Sequence, residues 1–183
     1  MSQDDPGSWD FSRLDAILEK IISTPKYEVL VGWPSEKNGS TMHNPRKPHH
    51  GGKAGGASQP SEINLATLAA IHDLGLGRQP ERPFVRQSVE NRRDQYSKTL
   101  GAELKKAYAA PDNGNGPVLK AYGKLGAMAA AAIGIEVGDP DPPFQENTAE
   151  TIERKGSDRP LVDTGQLKNS AQWVIRKPGE TRK

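Results

Sequence analysis

Four histidines are the first residues to test for chemistry: His43, His49, His50 and His72. A zinc site needs three or four ligands held rigidly. This chain has no cysteine, and no carboxylate follows the first three histidines at ligand spacing, so they read as loop histidines. His72-Asp73 offers an acid–base pair in composition. Sequence neighbours on a helix do not face one another, and a histidine in a last helical turn suits the helix dipole. Asp163-Thr164-Gly165 is the tripeptide of aspartic proteases. One copy needs a dimer to complete the carboxylate pair, and the helical Gln166-Leu167-Lys168 follows, so Asp163 or Thr164 reads as an N-cap. Gly51-Gly52-Lys53-Ala54-Gly55-Gly56 lacks the spacing of a phosphate loop and reads as linker. No catalytic, metal or cofactor residue is assigned, and the expectation is a protein that is not an enzyme. Arg82, Arg86, Arg92 and Arg93 cluster, with Lys98, Lys105 and Lys106 beyond, and Glu81, Glu90, Asp94 and Glu103 interleave with them. That pattern is a solvated, salt-bridged face or an electropositive nucleic-acid contact.

The elements that must hold these residues follow from periodicity. Phe11, Leu14, Ile17, Leu18 and Ile21 keep helical spacing over residues 10–22, with Ser8 or Asp10 as cap, until Pro25 ends the helix. Tyr27 to Trp33 alternates and reads as a strand with Tyr27, Val29, Val31 and Trp33 on its apolar face. Residues 34–61 form a long loop or arm with almost no apolar anchor, and a stretch of that kind rests on a surface outside its own domain if it is ordered. A second helix covers 62–74 and stops at Gly75. Pro80 and Pro83 then stiffen a corner around Glu81-Arg82. A third helix runs from Pro83 to Ala109, with a polar gap at Asn91-Arg92-Arg93-Asp94. A turn leads to a fourth helix from Pro117 to Gly138, and the two long helices make an antiparallel hairpin. Asp139 to Pro143 is an extended spacer. Thr148 caps a short helix over 149–155 that ends at Gly156. Another short helix spans Gln166 to Ser170, and Gln172 to Ile175 is a closing strand. The fold class expected is α+β: a small antiparallel sheet, made of the 27–33 and 171–176 strands and others, packed by the helical hairpin.

The 183 residues suit a single domain, 1–183, with an N-terminal arm at 1–9 and a polar tail at 177–183. Hydrophobic residues make up only 33%, while 19 glycines and 15 prolines favour long irregular stretches around a modest core. A net charge of +2 gives no strong reason to expect a nucleic acid or a membrane as partner. Without cysteine there are no disulfides, which fits a reducing compartment. The opening MSQDDPGSWD is too acidic and polar for a secretory leader, and the longest apolar run, Ala127 to Ile133, is far short of a membrane span. Cytoplasmic synthesis and no membrane contact are expected.

Three stretches, taken in order, carry a resemblance. Ala69-Ala70-Ile71-His72-Asp73-Leu74-Gly75 closes a helix. Pro80-Glu81-Arg82-Pro83-Phe84 makes a corner before a long helix. Pro160-Leu161-Val162-Asp163-Thr164-Gly165-Gln166-Leu167 precedes the final strand. Together with Val29 to Pro34 they resemble the tail-completion and neck proteins of tailed bacteriophages, small virion-morphogenesis proteins, over residues 27 to 175. The family often has Glu and Phe where this chain has Asp73 and Leu74.

The resemblance implies an α+β subunit of a ring, hexameric in the expectation, that joins the head connector to the tail without enzyme activity or cofactor. The implied partners are further copies, the connector or portal side, and tail-tube or tail-terminator proteins, with DNA passing through the lumen. The implied location is the virion neck, after assembly in the host cytoplasm. Trp33, Arg82, Phe84, Arg86, Leu161 and Leu167 are the expected interface residues. The competing reading for Phe84 is core and for Arg82 plain surface. Two alternatives stand beside this one: a nucleic-acid-binding module using the basic 82–106 helix, and a metal-dependent hydrolase using His43, His49, His50 or His72.

Overall fold

The core elements form where local chemistry and a buried face agree. The computed structural model describes residues 12–33, 64–110, 114–140, 142–162 and 165–179. In chain order the elements are α1 (Ser12–Ser23), β1 (Glu28–Gly32), α2 (Leu65–Leu74), α3 (Phe84–Glu90), α4 (Arg93–Ala109), α5 (Gly116–Gly138), α6 (Ala149–Lys155), α7 (Gln166–Asn169) and β2 (Gln172–Arg176). The chain is α+β, with a small two-stranded antiparallel sheet packed against one long helix.

That long helix, α5, is the axis of the molecule. Pro117 sits in its first turn, where a missing N–H costs nothing. Val118, Ala129, Ala132, Ile133 and Val137 are buried along it. The antiparallel α4–α5 hairpin expected from the sequence is present, and α3, α7 and both strands also pack on α5. By length and composition α5 could cross a bilayer. Here it is the central helix of the fold, packed by these neighbours along part of its surface, and it carries a buried glutamate, Glu136.

β1 and β2 pair antiparallel, with Glu28 opposite Arg176, Leu30 opposite Val174 and Gly32 opposite Gln172. The sheet lies on α5 because α5 offers glycine where Trp173 lands. A Cβ on Gly126 would sit 2.7 Å from the Trp173 ring, and one on Gly123 3.2 Å from it. Tyr27, just before β1, meets Tyr122 of α5 edge to face at 5.8 Å.

Three expectations are corrected. The helix expected from Pro83 to Ala109 is two helices. Asn91 and Arg92 interrupt it within the polar gap, where Arg92 takes φ −119° and ψ 12° and its N–H bonds three residues back, to Val89 O at 3.3 Å. Arg92 also pairs with Glu136 of α5 at 2.5 Å, which fixes the break against the core. Among the described residues no third strand joins the sheet, and the other described segments are helices, turns and connections. The N-cap of α7 is Gly165 at φ 75°, with no side-chain cap bond. Asp163 and Thr164 lie outside the described residues, as do Ser8, Asp10 and the whole of the 34–61 arm. The cap of α6 is as the sequence indicates: Thr148 Oγ1 accepts from Thr151 N at 3.3 Å, and Gly156 closes the helix in the left-handed conformation.

Candidate functional site

The corner between α2 and α3 is built by three backbone devices. Gly75 takes φ 64° at the C-cap of α2, and a Cβ there would lie 2.8 Å from Glu81 N. Only glycine meets both demands. The chain then doubles back, so that Arg82 N donates to His72 O at 2.8 Å. Pro83 supports a tight turn in which Phe84 N donates to Arg82 O at 2.8 Å. Proline has no side-chain acceptor to cap α3, and Asp73 supplies one from α2. Its Oδ1 accepts from Val85 N at 2.7 Å. This bond gives the acidic residue at position 73 a structural purpose: it satisfies an orphan N–H and places negative charge at a helix N-terminus.

Arg82 then ties the corner to a distant segment. Its side chain is 4% exposed. Its Nε and Nη2 donate to Gln145 O at 3.1 and 2.9 Å, and Nη2 also reaches Glu146 O and Asn147 Oδ1. Asn147 in turn donates to Asp158 O at 2.9 Å. One guanidinium therefore fixes the spacer after α5. Its planar fork suits this task, since it offers several donors in fixed directions. Burial holds its pKa below the ordinary value.

Behind the clasp lies the core. Phe84, with no exposed surface, packs with Trp33, Leu65, Ala69, Ile133, Val137, Phe144 and Leu167, and Leu161 borders the cluster. Trp33 meets Phe84 edge to face at 6.1 Å and donates from Nε1 to Ser170 Oγ at 3.1 Å. Leu161 takes φ 61°, an uncommon conformation for a residue with a γ-branch, and Val162 N closes the turn onto Pro160 O at 2.7 Å.

The electrostatics of the corner are structural in kind. His72 is pushed down to about 4, first by burial and then by the charges of Arg82 and Lys155. Its Nδ1 is buried and makes no hydrogen bond. The basic run after the corner is laced with ion pairs: Arg86 with Glu81 at 2.5 Å, Arg92 with Glu136, and Lys106 and Lys124 both with Glu103. The Arg86–Glu81 and Lys106–Glu103 pairs fit the salt-bridged reading of that face, whereas Arg92 is turned to the buried Glu136. Among the described residues no three metal-ligating side chains come together. His43, His49 and His50 lie outside them.

The structure thus distributes the six expected interface residues unevenly. Trp33, Phe84, Leu161 and Leu167 converge in or beside one core cluster. Arg82 bonds within its own chain, and its expected surface alternative is replaced by burial. Arg86 is exposed. In the single chain, five of these residues hold it together and only Arg86 faces outward. Sequence reasoning missed Asp73 as the cap of α3, Phe144 as core and Glu136 as a buried partner of Arg92. Glu136 interrupts the apolar stripe of α5, and that interruption was the available signal. Neither protein families, nor curated proteins, nor solved structures give a match to this chain.

Proposed function

We propose that this chain is a structural subunit of the neck or tail-completion type, which assembles with copies of itself into a ring joining a phage head connector to its tail. What supports the reading is the convergence of the three resembling stretches. The His72-Asp73-Leu74-Gly75 helix end and the Pro80 to Phe84 corner are neighbours in sequence, and the Pro160 to Leu167 segment lies far along the chain from both. The first two are joined by the Arg82 N–His72 O bond and by the Asp73–Val85 bond, and the third meets them in the Phe84–Leu167 cluster. A set of residues spent on geometry and packing suits a part that must hold its shape in an assembly. The role is not catalytic and needs no cofactor. Its partners are further copies, the connector or portal side and tail-tube or terminator proteins, with DNA in the lumen.

The particle provides the test. Mass spectrometry of virions purified from the phage that carries the gene should detect the chain, and imaging should locate it at the head–tail junction. Particles made without it should accumulate as separated heads and tails. Absence of the chain from complete particles would overturn the reading.

A further inference from the structure

Among the described residues, α1 presents an apolar stripe that is largely exposed. Ile22 is 82% exposed, Leu14 50%, Leu18 46% and Ile21 44%, and α1 buries none of its residues. It is attached through Lys20, whose Nζ donates to Ala107 O at 3.1 Å and Ala110 O at 3.0 Å at the end of α4, while Ile17 on another face is half-buried. A helix of 12 residues is marginal in water without an apolar partner.

The same chain carries an unfilled counterpart. α5, α7 and β2 border an open groove of about 860 Å³, lined by Ala127, Ala131 and Ile135 on one side and Lys168, Ala171 and Trp173 on the other. The small side chains of Ala127 and Ala131 are exposed one turn apart, which lets a second helix approach the α5 backbone closely. Asp15 and Glu19 flank the α1 stripe on the side of Leu18 and Ile22, and Lys168 stands on the groove, with Asp139 at its end. The two surfaces lie at opposite ends of the hairpin. α1 hangs where α4 finishes, and the groove follows the second half of α5, roughly 20 Å away at the helical rise. One copy can therefore donate and accept at once.

We propose that α1 of one copy seats its Leu14, Leu18, Ile21 and Ile22 stripe in the α5–α7–β2 groove of a second copy, with Asp15 or Glu19 beside Lys168. Two different surfaces on one chain make a head-to-tail contact, which closes into a ring when the rotation permits. Stripe-on-stripe pairing would stop at two copies and leave the groove empty. The proposal rests on the reading of this chain as a ring subunit and supplies the contact between neighbours.

The full chain has no cysteine, so engineered thiols report one contact each. Ile22→Cys and Ala131→Cys, made singly, purified and mixed under mild oxidation, should give a disulfide-linked dimer of one copy of each. The double variant should give a ladder of linked copies. Ile22→Cys dimers forming as readily with themselves would overturn the seating in favour of paired stripes. A mixture that stays unlinked and monomeric by light scattering at high concentration would overturn it outright. Leu18→Asp, with unchanged circular dichroism, should weaken self-association about tenfold or more, because a charge enters an apolar contact. Particles that contain the chain without the 22–131 link would overturn the seating and leave the neck role standing. Linked chains absent from particles would do the reverse.

Discussion

At the scale of single residues, the corner depends on side chains that sequence reading values for chemistry and the fold uses for cohesion. Arg82 is buried without a carboxylate, and backbone carbonyls and Asn147 accept its hydrogen bonds. Carbonyl acceptors satisfy the guanidinium, so its burial does not leave unmatched donors. His72 lies beside it with a buried, unpartnered Nδ1, held neutral first by burial and then because protonation would add a positive charge near Arg82 and Lys155. The folded pKa of about 4 lies below the ordinary 6.5. The unfolded chain therefore takes up the proton first as pH falls. The contribution of His72 to stability is complete above 6.5 and is lost as pH drops through the interval down to about 4. Denaturant unfolding across that interval should show a decline of about 2 kcal/mol assigned to this residue after screening by solvent. His72→Gln should flatten the decline relative to the parent chain, and an unchanged pH profile would contradict the account.

At the scale of elements, α3 shows how a helix end can be completed from a distance. Its N-cap position is Pro83, which makes no side-chain cap bond, and Asp73 on α2 reaches across the corner to accept from Val85 N. The two helices are thus locked at a fixed angle by one carboxylate, with Gly75 making the close approach possible. Asp73→Ala should cost about 1 kcal/mol in global stability, the usual loss for a helix cap. Asp73→Asn should recover most of it, because the amide oxygen can still accept. Equilibrium urea unfolding of the three proteins checks this, with faster amide exchange at Val85 as the local sign. The sequence shows a helix, a rigid joint and a second helix here. It does not show the α3–α4 break with equal clarity, because the polar gap at 91–94 has the composition of an exposed helical turn as well as of an interruption. The Arg92–Glu136 pair, 44 positions apart, decides between them.

At the scale of the whole molecule, the sheet and the hairpin are joined by a fit between glycine and tryptophan. Trp173 lies over Gly123 and Gly126, so β2 approaches α5 more closely than any side chain at those positions permits. Gly126→Val should force the indole or the strand outward and destabilise the fold by about 2 kcal/mol through overpacking. Thermal unfolding should fall by several degrees, together with a change in tryptophan emission. An unshifted melting temperature would mean that the sheet is held elsewhere. The same packing leaves one side of α5 open as the groove, and α1 stands apart from the core at the other end of the hairpin. The molecule therefore has a firm centre and two apolar surfaces at its extremities, an arrangement suited to association end to end.

Much of this was legible in the residues themselves. Helix ends at Gly75 and Gly156, the Thr148 cap, the start of α5 at Pro117 and the alternation of β1 are local events, governed by propensity and capping within a few residues. The core membership of Leu65, Val118 and Ile133 follows from helical spacing. What the sequence alone could not decide were relations between positions far apart. Asp73 finds Val85, Arg82 finds 145–147, Glu136 finds Arg92, and Trp173 finds Gly126. Each of these is a polar or glycine residue whose type allows several uses, and only the approach of a second segment selects one. Periodicity reports which face of an element is apolar. It carries no information on which other element arrives there, because that depends on how all the apolar faces can be buried at once.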